Sequence, residues 1–210
     1  MSAPSALPPM ILGYRYVRLV SSAGGYGDVH LFEDELDRPV AVKVIRDPDI
    51  SPTLVAAFMS EAKTMASLEH PNIVRVYRAA QTVDGRPFIA MQLCEQQTME
   101  DRAAGGRLSL AEVLRTGIVM GGALETAHRA GVIHRDIKPA NILIQPGGAP
   151  GLTDFGVAAQ ASGMSNGDEV GVSIPWSPPE MLWSDSPGSV VSDVYSLAAT
   201  IWHLLVGHSP

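Results

Sequence analysis

Residues able to do chemistry together are concentrated in one run of this sequence. His134-Arg135-Asp136-Ile137-Lys138-Pro139-Ala140-Asn141 puts an acid, an ammonium and an amide within six residues, and Asp154-Phe155-Gly156 follows thirteen residues after Asn141. Two acids and an amide suit a hard cation held by oxygen, Mg²⁺ or alternatively Mn²⁺, because no His or Cys cluster offers softer ligands. Upstream, Lys43 is the one charged residue in Val40-Ala41-Val42-Lys43-Val44-Ile45. Alone it would read as a surface lysine with its stem along apolar neighbours. Glu61 changes that reading, since it falls on the apolar face of the next segment beside Phe58 and Met65, where an unpaired carboxylate is costly to bury. A Lys43–Glu61 pair is therefore expected. A glycine turn, Gly24-Gly25-Tyr26-Gly27-Asp28-Val29, fits the later part of G-x-G-x-x-G-x-V, with Ser22 where the first glycine would be. Such a turn brings backbone N–H groups close to phosphate oxygens. A dinucleotide-binding loop is a poor alternative, because a strand follows and position 44 is valine rather than an acid. The chemistry these groups suit is phosphoryl transfer, which needs positioning and charge compensation more than covalent catalysis.

Elements must hold these groups. Residues 14–20, 29–32 and 40–45 read as strands, with the glycine turn and an acidic hairpin between them. Leu54, Phe58, Glu61, Met65 and Leu68 recur at helical spacing. Residues 73–77 and 88–93 read as further strands around a turn at Asp84-Gly85. From Leu110 the pattern becomes helical over 110–130, weakened at Gly121-Gly122 by about 1 kcal/mol per glycine. A loop-rich stretch with short strands spans 134–179, and a last helix starts near Asp193. Strands first and helices later imply an α+β fold in two lobes.

The 210 residues are 46% hydrophobic and 18% charged, which suits one globular domain or two small ones and excludes a disordered tail. A net charge of −7 argues against non-specific binding to nucleic acid or anionic membrane. The single Cys94 excludes a disulfide framework and a cysteine zinc site, and fits a reducing, cytoplasmic setting. The leader has no charged start before an apolar run, so it is not a signal peptide. The stretch 197–206 is too short to span a bilayer.

In this order, the Val-Ala-Val-Lys strand, the helical glutamate, the His-Arg-Asp run and the Asp-Phe-Gly triplet resemble the protein kinases. The likeness is to bacterial serine/threonine kinases of eukaryotic type, from about Tyr14 to the last residue. The resemblance implies a β-rich N-lobe over residues 14–93, after a flexible leader at 1–13, and a helical C-lobe over 94–210. It implies transfer of the ATP γ-phosphate to Ser/Thr hydroxyls of protein substrates. Lys43, set by Glu61, would hold the α- and β-phosphates. Asp136 would orient or accept the hydroxyl proton, Lys138 would steady the phosphoryl group, and Asn141 and Asp154 would bind magnesium. Ser22, Gly24, Gly25 and Gly27 would cover the phosphates, while Val29, Ala41 and Leu143 would sandwich the purine. Met91 falls at the gatekeeper position, and Gln92, Leu93 and Cys94 at the hinge. Met65, Val76, His134 and Phe155 would form the hydrophobic stack linking the lobes.

Residues 154–180 resemble an activation segment ending in Pro178-Pro179-Glu180, with Trp176 in place of a common tyrosine. Ser173 stands where a threonine helps select a hydroxyl substrate. Arg135 beside Asp136 marks kinases switched by phosphorylation, with Ser162, Ser165 and Ser173 as candidate sites. Asp168 and Glu169 offer a partial substitute for phosphate. Asp193 would anchor the backbone around His134 and Arg135. Trp183 and Trp202 read as core residues rather than a ligand cage. Two departures stand out. Ser21 and Ser22 replace an aliphatic residue and a glycine, which implies weaker ATP binding. The sequence also stops after the helix of Asp193, so the C-lobe is expected to be incomplete. Trp202, Leu204, Leu205 and Val206 would then be exposed and Glu180 would lack an arginine, giving a broad melt and little activity. The competing reading is a catalytically inactive nucleotide-binding or interaction module derived from a kinase; a small-molecule phosphotransferase is a weaker third.

Overall fold

The computed structural model describes residues 8–22, 27–46, 51–155, 173–183 and 186–210, except the side chains of Leu54, Ala57 and Glu61. The chain divides into two compact units, Met1–Ala62 with Val76–Leu93 and Lys63–Arg75 with Cys94–Pro210.

The first unit is a five-stranded antiparallel sheet in the order β1-β2-β3-β5-β4. Its strands are β1 (Tyr14–Ser21), β2 (Gly27–Asp34), β3 (Pro39–Ile45), β4 (Val76–Gln81) and β5 (Pro87–Gln92). The prolines open their strands, where no ladder N–H is required. Strand alternation sorts the side chains into two sets. Phe32, Val40, Val42, Val44, Phe88 and Ala90 share one face and pack with Ile11 into a buried core. Tyr14 meets Phe32 and Phe88 edge-on across that core. The register puts Val29 opposite Lys43 and Leu31 opposite Ala41, with Ile89 and Met91 beside them on the opposite face. Helix α1 (Pro52–Ala66) opens on a proline, whose missing N–H costs nothing at the first helical position.

The second unit is mainly helical. Helices α2 (Met99–Ala104), α3 (Leu110–Arg129) and α5 (Val190–Val206) each start at a capping box: Thr98 with Asp101, Ser109 with Glu112, and Ser189 with Ser192. Gly207 ends α5 in the left-handed conformation at φ 86°, its N–H donating to the His203 carbonyl. A short helix, α4 (Pro179–Trp183), precedes α5, and β6 (Ile142–Ile144) pairs antiparallel with β7 (Pro150–Leu152). Among the described residues, no helix is long and apolar enough to cross a membrane.

Several local expectations shift. The apolar run 73–77 is divided between partners: Ile73 bridges Leu152 and Val74 N–H donates to the Leu152 carbonyl, so β4 begins only at Val76. The last helix starts at Val190 because Ser189 caps it. Trp183 is 83% exposed and Trp202 51%, so neither is a core residue here. The reason for Trp202 lies in α5, whose buried face is built from Ser192, Asp193, Ser196, Ala199, Thr200 and Leu204. That face turns Val191, Val194 and Trp202 outward, and buries Leu204 where exposure was expected.

Candidate active site

The run around Asp136 is shaped by buried polar anchors. Asp193, wholly buried on α5, accepts the backbone N–H groups of His134 and Arg135 at 2.8 Å each and lies 2.7 Å from His128 Nε2. Thr200, also buried on α5, donates to the Ile137 carbonyl at 3.2 Å. These anchors hold Arg135 at φ 70°, a left-handed conformation uncommon for a side-chain-bearing residue. His134 is fully buried, and burial pushes its pKa below the ordinary imidazole value. Its ring suits one neutral tautomer: Nε2 donates to the Thr153 carbonyl at 3.0 Å, and Nδ1 accepts the Asp136 N–H at 3.2 Å.

Asp136 is the hub of a relay. Its Oδ2 accepts from Asn141 Nδ2 at 2.8 Å and lies 3.0 Å from Lys138 Nζ. Lys138 Nζ also donates to Ser173 Oγ at 2.6 Å. Asn141 Nδ2 bonds the Asp136 carbonyl too, at 2.7 Å, so the amide nitrogen is committed to Asp136 and Oδ1 is the atom offered to a cation. Thr153 N–H donates to the Asn141 carbonyl at 3.1 Å, which brings the start of the Asp154 segment beside that amide. Asp154 is half-buried with φ 58°, and the following Phe155 packs its ring 4.6 Å from that of His134. An amide oxygen and a carboxylate form a hard donor set, and no group of three or more His, Cys, Asp or Glu gathers among the described residues. That chemistry fits a metal such as Mg²⁺, which uses one or two protein carboxylates and takes its remaining oxygens from phosphates and water.

The first unit carries the other expected residues. Lys43 is half-buried on β3, opposite Val29 and Ile89. The expected partner carboxylate of Glu61 lies outside the described residues, as do Gly24 and Gly25. Gly27 is required by close approach: a Cβ there would stand 2.6 Å from the Val44 carbonyl oxygen. Arg46 donates to the Ser22 carbonyl and, at 2.8 Å, to Asp28, thereby joining the end of β1 to the start of β2. Ala41 and Met91 are buried, Val29 and Gln92 half-buried. Of the stack residues, Val76 belongs to this unit, and Met65, His134 and Phe155 to the second; all are buried.

In the second unit, Leu143 is half-buried on β6. The Cys94 thiol is pushed up to about 11, first by burial and then by Glu95, so it is an unreactive neutral group. Ser162, Ser165, Asp168 and Glu169 lie outside the described residues. Arg135 Nε donates to the Pro187 carbonyl at 2.6 Å.

Sequence reading missed Arg46, His128, Thr200 and the contact of Trp176 with His203. Arg46 follows an apolar strand and gave no local signal. His128 and Thr200 act through contacts more than 60 residues away in sequence. Helix α2 was also missed, although the Thr98–Asp101 capping box was there to be read.

Comparison with known proteins agrees with this geometry. The family model described as "Protein kinase domain" matches residues 22–210. Serine/threonine-protein kinase PknK of Mycobacterium bovis is 41% identical over 190 residues, covering 89% of this chain and 17% of PknK. PknJ of Mycobacterium tuberculosis is 36% identical over 210 residues, covering 94% of this chain and 34% of PknJ. PknA of Mycobacterium tuberculosis is also 36% identical, over 207 residues, covering 94% of this chain and 47% of PknA. The chain therefore spans less than half the length of these relatives. A crystal structure of a mutant Mycobacterium tuberculosis PknI kinase domain superimposes with a TM-score of 0.76 at 28% identity, covering 98% of this chain and 79% of that one. A family match that reaches from residue 22 to residue 210 makes this chain a member of the protein kinase family, similar over most of its length to bacterial serine/threonine-protein kinases.

Proposed function

We propose that this chain is an ATP-dependent protein serine/threonine kinase domain that uses Mg²⁺ and works in the cytoplasm. The observation that carries the reading is the relay from Asn141 through Asp136 and Lys138 to Ser173. It places a carboxylate beside an ammonium and a seryl hydroxyl, which is what a hydroxyl acceptor needs to be oriented and its charge compensated.

In the proposed reaction the acceptor oxygen bonds to the γ-phosphorus of ATP, the bond to the β,γ-bridging oxygen breaks, and ADP leaves. Asp136 takes the hydroxyl proton as transfer proceeds. Lys138, held between Asp136 and Ser173, offsets negative charge on the phosphoryl oxygens. Asn141 Oδ1 and the Asp154 carboxylate would hold Mg²⁺, which supplies charge neutralisation at the phosphates. Lys43 takes the α- and β-phosphates, and Gly27 lets the backbone of the phosphate loop start close to β3.

The test is the rate of transfer from ATP to a protein acceptor. Lys43→Met and Asp154→Asn should each lower turnover by at least about 10²-fold, as for lost electrostatic stabilisers. Full turnover by either variant would overturn its assigned role. Nucleotide binding by the wild type without any transfer would instead favour an inactive nucleotide-binding module.

A further inference from the structure

His30 is a buried titratable group that the transfer chemistry does not use. It lies on β2, 8% exposed, and its Nδ1 is buried without a hydrogen-bond partner among the described residues. Buried polar atoms are normally paired, so an orphan nitrogen on a ring that can take a proton calls for an explanation.

The packing around the ring is aromatic and aliphatic. Tyr16 of β1 and Phe32 of β2 lie against it, with ring centroids 5.8 and 6.3 Å away. Leu19 of β1 and Val42 of β3 stand opposite it in the ladder. Tyr16 is the one titratable group among these four. The charges that bear on the ring are Asp28 and Arg86. Arg86, just before β5, is already bound to Asp84 at 2.8 Å. Asp28 precedes His30 by two residues on β2, so both side chains leave the same face, roughly 7 Å apart along the strand. Lys43, opposite Val29, lies on the other face.

Asp28 is also the carboxylate that Arg46 uses. Arg46 Nε donates to it at 2.8 Å while another nitrogen of the same guanidinium donates to the Ser22 carbonyl. Burial pushes the His30 pKa below the ordinary imidazole value; Asp28 pulls it back up and Arg86 adds to the lowering. At neutral pH the ring is therefore uncharged and Asp28 is left to Arg46. A protonated ring carries an N–H on both nitrogens, and Nδ1 then needs an acceptor. The Asp28–Arg46 pair is open to water, and such pairs are weak, so a charge set against the same carboxylate from the buried side can shift it.

We propose that His30 is a proton-operated latch on the phosphate loop: when its buried ring takes a proton it draws Asp28 away from Arg46, loosens the hold on Ser22 and weakens ATP binding. The proposal rests on the kinase reading above, in which residues 22–27 cover the ATP phosphates. The neutral ring is the closed state of the latch, and its effect falls on the nucleotide rather than on the protein acceptor. Because ATP binds the closed state better, bound nucleotide must in return make His30 harder to protonate.

The first measurement is affinity for the non-hydrolysable analogue AMP-PNP with MgCl₂, by calorimetry, between about pH 8 and about pH 5. At the alkaline end wild type, His30→Phe and His30→Gln should bind alike. Towards acid, wild type should lose about 3–10-fold more affinity than either variant, the range for a misplaced phosphate-binding backbone. Comparison with the variants cancels the titration of the nucleotide itself, and the second variant keeps the test if one fails to fold. With Arg46→Ala already in place, His30→Phe should make no further difference at any pH, since the tie is gone. The second measurement follows the His30 ring proton by NMR, assigned by its loss in His30→Phe. AMP-PNP should move the midpoint of that titration to lower pH by about 0.5–1. Equal pH dependence in wild type and both variants would overturn the proposal. So would a His30 midpoint that bound nucleotide leaves unmoved. Failure of wild type to bind AMP-PNP at any pH would take down the kinase reading and the proposal with it, and is distinguishable from the other two results because no binding heat appears.

Discussion

Asp193 shows how much one buried residue can decide. Its carboxylate satisfies two backbone N–H groups and a histidine at once, and those N–H groups belong to the residues just before Asp136. Asp193→Ala would strand both N–H groups in the interior. At roughly 1–3 kcal/mol for each unsatisfied donor, the loss should be about 2–6 kcal/mol. Urea unfolding is expected to show that loss, and an alanine variant as stable as wild type would contradict the anchoring role. The same residue explains why Arg135 tolerates a left-handed backbone: the hydrogen bonds that fix the loop outweigh a strain of order 1–3 kcal/mol. This anchor was legible in the sequence because the family resemblance carries it. The stack of Trp176 on His203 was not, since two aromatic residues 27 positions apart form no pattern that periodicity or spacing can reveal.

At the scale of elements, the strands of the first unit were readable from β-branched runs, and their register sorts Lys43 away from the Phe32–Phe88 core. What the pattern could not show is how the glycine turn is secured when serine replaces its first glycine. Arg46, just past β3, reaches both the Ser22 carbonyl and the Asp28 carboxylate, so one guanidinium ties the two stems of the turn together. Its planar fork of donors suits that double contact, which a lysine could not reproduce. Arg46→Ala should raise the KM for ATP several-fold, about 3–10-fold for a misplaced phosphate-binding backbone, with acceptor KM unchanged. An unaltered ATP KM would show that the stems need no such tie. Element boundaries were less legible than element types. Residues 73–74 have the composition of a strand continuous with β4, yet they belong to the second unit and their backbone pairs with Leu152 of that same unit, a tertiary choice that no local propensity encodes. Helix α5 misled for a different reason: its buried face is small and polar because that face makes hydrogen bonds to the loop around Asp136, so large apolar residues are left outside.

Across the whole molecule, histidines link stability to pH. Burial holds His30, His134 and His203 below the ordinary value of 6.5. Between each folded-state pKa and 6.5, the unfolded chain binds more protons than the folded one. Stability therefore climbs with pH through that window and levels off above it. Asp34, Asp84 and Glu112, held low chiefly by hydrogen bonds from Arg38, Thr82 and Ser109 respectively, contribute only at more acid pH. The urea midpoint should fall between about pH 7.5 and about pH 5.5, and a flat profile would contradict the burial of neutral imidazoles. In the proposed reaction Asp136 is the group that receives the acceptor proton, with Asn141 and Lys138 fixing its carboxylate. The direct measurement is transfer of labelled γ-phosphate from ATP to protein serine or threonine by wild type and by Asp136→Asn. Wild type should label the acceptor, and the asparagine variant should lose at least about 10²-fold in rate; equal labelling by the two proteins would contradict the central claim.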